Sequence, residues 1–125
     1  AYESVCYSIK HHFEIFKELG IPINQIMVTG GGTKNEVWIQ MLSDVLGIKL
    51  QTPSVTIGAS YGDALMAMIG ANHIKGFAEA KKLIETGKVY YPNLENTKKY
   101  EPYYQIYIEL YKQNKELMSM MDEIN

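Results

Sequence analysis

Three consecutive glycines, Gly30, Gly31 and Gly32, followed by Thr33, Asn35 and Glu36, are the residues of this 125-residue chain whose types and spacing could hold a ligand. A glycine turn lets a ligand approach the main chain without meeting a Cβ. A helix starting directly after it points unpaired N–H groups and the positive end of its dipole outward. Phosphate or ribose oxygens fill such a gap. The Asn35 amide both donates and accepts, which suits a ribose hydroxyl or an adenine edge. Thr33 and Glu36 have the spacing of a capping box, with Thr33 as N-cap and Glu36 at N3. A plain strand-to-helix turn is usually served by one glycine, so three in a row favour a ligand site.

Two better-known phosphate loops are excluded by single residues. The dinucleotide fingerprint needs glycine three positions after Gly32, where this chain has Asn35. The P-loop ends in Gly-Lys-Ser/Thr, and the one Gly-Lys pair, Gly87-Lys88, is followed by Val89. Other reactive constellations are missing. His11 and His12 are adjacent on a helical pattern and diverge, and His73 stands alone. No Cys/His cluster has metal spacing, and no serine stands in a Gly-x-Ser-x-Gly elbow. Asp44 falls late in its helix, about two and a half turns from the glycines, so a surface role is expected for it rather than Mg²⁺ binding. Asp63 remains a candidate for indirect support of a site. The residues offer a binding surface rather than a reactive centre, with no catalytic and no metal-ligating residue.

The elements that must position this loop are legible from periodicity. Val5, Ile9, Phe13, Phe16 and Leu19 recur at helical spacing, and Gly20 and Pro22 stop the pattern, predicting a helix from about Tyr2 to Leu19. A strand is expected from Gln25 to Thr29, entering the glycines. Val37, Trp38, Met41, Leu42, Val45 and Leu46 form the next apolar stripe, closed by Gly47, and Ile48 to Gln51 reads as a second strand ended by Thr52-Pro53. A helix rich in small residues follows from Gly58 to Gly70, then a shorter one from Ala78 to Glu85 ended by Thr86-Gly87. Tyr90 to Asn93 reads as a loop. A long last helix aligns Tyr100, Tyr104, Tyr107, Tyr111, Met118 and Met121 on one face, a pattern commoner in packing than in ligand binding. Helices and strands in alternation predict an α/β architecture, a central sheet flanked by helices.

Composition narrows the functions. The length is that of one domain. Net charge is −2 with both signs interspersed, which gives no basic patch for nucleic acid. All twelve basic residues are lysines, so any fixed positive charge on a phosphate must be lysine. The lone Cys6 excludes an internal disulfide, fits a reducing compartment and reads as a core residue. Neither a membrane-spanning run nor a signal-peptide pattern is present, so a cytoplasmic location is expected. The helical pattern already under way at Ala1 suggests a piece of a longer polypeptide.

Taken together, Thr29-Gly30-Gly31-Gly32-Thr33-Lys34-Asn35, Trp38-Ile39-Gln40 and Ser43-Asp44-Val45-Leu46-Gly47 resemble the nucleotide-binding segment of the FGGY family of carbohydrate kinases. Glu3, Val5 and Ser8 are similar to its preceding helix, Gly58-Ala59 through Gly62-x-Ala64 to its small-residue helix, and Pro92, Tyr100, Tyr104, Tyr107 and Leu110 to its C-terminal helix. Many members carry a glutamate where this chain has Thr56-Ile57. The resemblance implies an actin-like, ribonuclease-H-like ATPase domain, with residues 1–125 forming the C-terminal portion of the ATP-binding domain of a larger two-domain kinase. It implies ATP and Mg²⁺ as cofactors, and transfer of the γ-phosphate to a sugar or polyol hydroxyl, xylulose-like, with gluconate or glycerol as alternatives. Gly31 would lie against the α-phosphate and ribose, with Gly30 and Gly32 shaping the turn and Asn35 contacting the adenosine. The catalytic aspartate and most of the sugar site would lie in the preceding polypeptide, which becomes a partner of this chain; a homodimer is left open. The competing expectation is a non-catalytic α/β module for protein interaction or oligomerisation. A different actin-like ATPase, such as an acetate-kinase or hexokinase relative, fits the Asn35, Trp38 and Gln40 spacing less well.

Overall fold

The helix expected at the start of the chain forms over Tyr2–Glu18 (α1) and ends at Leu19 and Gly20, the latter at φ +68°. In the computed structural model, which describes residues 1–23, 25–55 and 58–122, a 3₁₀ turn at Gly31–Lys34 and α2 (Glu36–Leu46) follow. Then come β1 (Leu50–Pro53), α3 (Ala59–Gly70), α4 (Phe77–Leu83), β2 (Thr86–Tyr90) and α5 (Leu94–Asp122). The sheet is smaller than expected. β1 and β2 pair antiparallel, with Leu50 opposite Tyr90 and an irregularity between Gln51 and Pro53, where proline has no N–H to give the ladder.

Three expectations about the sheet need correcting. Residues 25–29 make a single parallel bridge, Met27 to Gln51, held by Val28 N to Gln51 O at 2.7 Å and Gln51 N to Ile26 O at 3.0 Å. Two bonds to one neighbour do not extend into a strand. β1 starts at Leu50 rather than Ile48 because Ile48 still belongs to the end of α2: its N–H donates to Ser43 O, and Ser43 Oγ donates to its carbonyl at 2.8 Å, around Gly47 in the left-handed conformation. Residues 86–90 form a strand where a helix stop and a loop were expected. Its Gly87 lies so close to β1 that a Cβ would stand 2.9 Å from Pro53 O.

The main core joins four elements around α2. Cys6 and Tyr7 of α1, Ile39, Leu42 and Val45 of α2, Leu50 of β1, Tyr90 of β2 and Tyr104 of α5 are buried together. Each large apolar side chain so buried is worth about 1.5–3 kcal/mol. Leu65, Ile74 and Ala80 make a separate small cluster between α3 and α4. The apolar stripe expected to bury α1 mostly does not: Val5, Phe16 and Leu19 are exposed, and it is the Cys6–Tyr7 side that packs inward. The α2 stripe packs as expected through Trp38, Met41, Leu42, Val45 and Leu46, with Val37 left 75 % exposed and Ile39 added to the buried face. Only the first half of the tyrosine face packs, since Tyr104 is buried while Tyr111, Met118 and Met121 are exposed.

A polar seam fixes α1 across α5. The Tyr104 hydroxyl donates to Glu14 and lies 3.5 Å from His11 Nδ1, while Lys10 Nζ reaches Glu101 at 2.6 Å and stands 4.6 Å from the Tyr104 ring centre. Burial and the Glu14 carboxylate hold the Tyr104 phenol well above its usual value. Cys6, as expected, is a core residue. Burial pushes its thiol up to about 11, against a smaller opposing effect of the Trp38 indole. At pH 8 only about one molecule in a thousand then carries a Cys6 thiolate. Native protein treated with a thiol reagent at that pH should label at Cys6 only as it unfolds, read by mass spectrometry of the Cys6 peptide; rapid stoichiometric labelling would contradict this burial.

Candidate functional site

The glycine turn is built by Thr33 and closed by Asn35. Gly30 sits at φ +102° and its carbonyl accepts twice from Thr33, from N at 3.1 Å and from Oγ1 at 2.7 Å. Thr33 is buried and committed to that turn. The expected capping box therefore does not form. A 3₁₀ turn intervenes, and α2 starts two residues later, with Asn35 as its N-cap and Asn35 Oδ1 accepting from Trp38 N at 3.2 Å. Glu36 pairs across with Lys88 on β2, which raises the Lys88 pKa above its ordinary value. Asn35 Nδ2 has no hydrogen-bond partner among the described residues and remains a donor at the exposed end of the turn.

The three glycines turn out to be glycine for different reasons. Gly30 needs its positive φ. Gly32 needs space: a Cβ there would stand 2.0 Å from Cζ3 of Trp38. Gly31 needs neither, since it is exposed, its φ is ordinary, and a Cβ would meet nothing within 4 Å among the described residues. A second glycine turn faces the first. Gly58, the N-cap of α3 at φ +67°, would place a Cβ 3.5 Å from Gly30 Cα, so the α3 N-terminus closes one side of the glycine turn. Thr56 and Ile57, the point of departure from the FGGY pattern, lie outside the described residues.

Asp44 corrects the sequence reading. It is 4 % exposed, not a surface residue. Its Oδ1 accepts from Gln40 Nε2 and from Asn93 N, and its Oδ2 from Asn96 Nδ2, each at 2.8 Å. Asn93 Oδ1 in turn caps α5 by accepting from Glu95 N at 3.0 Å. Asp44 is thus the pin that holds the start of α5 to α2. Of the two distant donors only Asn96 uses its side chain; Asn93 gives a backbone N–H, which no residue type in the sequence marks. Asp63 is exposed on α3. Among the described residues no three His, Cys, Asp or Glu side chains are grouped to hold a metal, and no helix is long and apolar enough to cross a membrane. A groove of about 460 Å³ between α2, β2 and α5 is lined by Gln40, Asp44 and Asn96, whose polar groups are already bonded to one another, and includes none of the glycines.

The geometry is an exposed glycine turn with an amide donor beside it and a helix N-terminus against its flank. Residues 1–71 match the model of the FGGY family of carbohydrate kinases, C-terminal domain. Over 116 residues, 92 % of this chain and 23 % of the relative, it is 32 % identical to a xylulose kinase of Staphylococcus epidermidis. It is 35 % identical to a probable L-xylulose kinase of Pasteurella multocida, covering 87 % of this chain and 22 % of that one. The fold superposes on a xylulose kinase from Rhodospirillum rubrum with a TM-score of 0.75 at 25 % identity, over 93 % of this chain and 24 % of that one. A Plasmodium falciparum glycerol kinase solved with ADP gives a TM-score of 0.67 at 19 % identity, over 86 % and 22 % of the two chains, and shares the fold. The chain spans under a quarter of the length of the curated relatives it matches.

Proposed function

The chain belongs to the FGGY family of carbohydrate kinases, and from that premise we propose that it is the C-terminal portion of the ATP-binding domain of a two-domain sugar kinase with a xylulose-like acceptor. Gly31 supports this reading most directly. Neither backbone conformation nor packing against the described residues requires glycine there, and the open face of the turn is free for close approach of a ligand. In this reading the main chain at Gly31 meets the α-phosphate and ribose, Gly30 and Gly32 shape the turn, and Asn35 Nδ2 donates to the adenosine. Mg²⁺ travels with the triphosphate. Asp44 is committed to α5 and Glu36 to Lys88, so neither is free to ligate it.

Catalysis needs more than this portion. Phosphoryl transfer depends on holding acceptor hydroxyl, metal and γ-phosphate in line, and the base and sugar-reading residues come from elsewhere in the kinase. The exposed apolar side chains Tyr2, Val5, Phe16 and Leu19 of α1 suit contact with that remainder. Incubating the full-length polypeptide with ATP–Mg²⁺ and xylulose, gluconate or glycerol should give ADP release that depends on a ketopentose. ADP release with none of them, together with no measurable ATP affinity, would favour a non-catalytic interaction module.

A further inference from the structure

We infer that Trp38 is the positioning residue of the glycine turn, the floor on which Gly32 rests, and that it thereby sets where Gly31 and the Asn35 amide face a nucleotide. The inference rests on the nucleotide reading above. Its carrying observation is the space beneath Gly32: an added Cβ would stand 2.0, 2.9 and 3.1 Å from Cζ3, Cε3 and Cη2 of the indole, so the turn lies on the ring with no room for a methyl group. The same residue holds the other end of the turn, since its backbone N–H donates to Asn35 Oδ1. Tyr2 of α1 braces the ring, with centroids 5.9 Å apart. The indole Nε1 is buried and, beyond its weak influence on the Cys6 thiol, has no hydrogen-bond partner among the described residues. What it offers the turn is the shape of its ring.

The test uses the full-length kinase with four variants: Trp38→Phe, Trp38→Leu, Gly32→Ala and the Gly32→Ala/Trp38→Leu pair. Displacement of the turn by about 1 Å is expected to raise the ATP KM of Trp38→Leu and of Gly32→Ala by about tenfold or more, with kcat and the sugar KM within about twofold. Trp38→Phe, which keeps an aromatic floor, should stay within about twofold of wild type on all three. In the double variant the alanine methyl enters space the indole has vacated, so its added cost should nearly vanish, a non-additivity of about tenfold. Additive effects, equal damage from Phe and Leu, or a lowered melting temperature with unchanged ATP KM would each overturn the inference. Should Trp38→Leu not fold, Gly32→Ala carries the test: it must raise the ATP KM without moving the sugar KM. A Gly31→Val enzyme separates the two layers. If it keeps its ATP KM, the nucleotide reading fails; if it loses ATP affinity while Trp38→Leu and Gly32→Ala do not, only the role of Trp38 fails.

Discussion

Replacing Gly31 by valine in the full-length protein is expected, on the proposed kinase reading, to raise the KM for ATP by about a hundredfold, roughly 2.7 kcal/mol of binding, and to leave the KM for sugar within about twofold. The fold has no objection to the change. An added Cβ at Gly31 meets nothing within 4 Å among the described residues, and the residue's φ lies outside the region that favours glycine. The melting temperature should therefore stay within about a degree of wild type, since surface substitutions without special backbone or packing demands usually change stability by less than 0.5 kcal/mol. What valine does occupy is the outward face of the turn, where the phosphate and ribose are proposed to lie against the main chain. Steady-state kinetics with each substrate varied, beside a thermal melt, check both halves. Unchanged ATP kinetics would put the nucleotide somewhere other than this turn.

Asp44→Ala is expected to be the most damaging single change to the fold. The carboxylate is 4 % exposed and accepts from Gln40 Nε2, Asn93 N and Asn96 Nδ2. Removing it leaves three donors in a nearly buried setting without an acceptor, and one such donor already costs about 1–3 kcal/mol, more when the lost partner is charged. A loss of about 3–5 kcal/mol follows, a large part of the stability of an ordinary domain. Asp44→Asn should fall between, because its remaining carbonyl oxygen can still serve one donor pair while the new amide faces another donor. Denaturant unfolding of the full-length protein reads the effect as a fall in midpoint. A shift below about 0.5 kcal/mol for alanine would contradict the network.

The helices were legible in the sequence because they depend on local periodicity and on stop signals such as Gly20 and Gly47, which act within one turn. The family was legible for a related reason: the glycines, Asn35, Trp38 and Asp44 keep a fixed spacing along a single loop and helix. What was not legible depends on contacts distant in sequence. β2 is a strand because Gly87 can lie against Pro53, and no local pattern announces it. Asp44 looked like a surface residue because its three donors include two from Asn93 and Asn96, about fifty positions away. The burial face of α1 was misread because that helix carries apolar residues on more than one side, and periodicity alone cannot say which side meets a neighbour, whereas the α2 stripe was read correctly except at Val37. At the site itself Gly30, Gly31, Gly32 and Asn35 were singled out from type and spacing, and the family resemblance already set Gly31 apart from a turn-shaping Gly30 and Gly32; the physical reason for that division was not legible. The coordinates supply it: Gly30 bends the chain and Gly32 clears the Trp38 ring, while Gly31 does neither.

That separation makes Gly31 the residue on which the nucleotide reading turns, and a crystal structure of the full-length protein with ADP tests it most directly. The expected result is the nucleotide lying across the turn, its α-phosphate or ribose packed on the Gly31 main chain and its adenosine within about 3 Å of Asn35 Nδ2. Density for ADP elsewhere, with Gly31 open to solvent and Asn35 serving only to cap its helix, would contradict it.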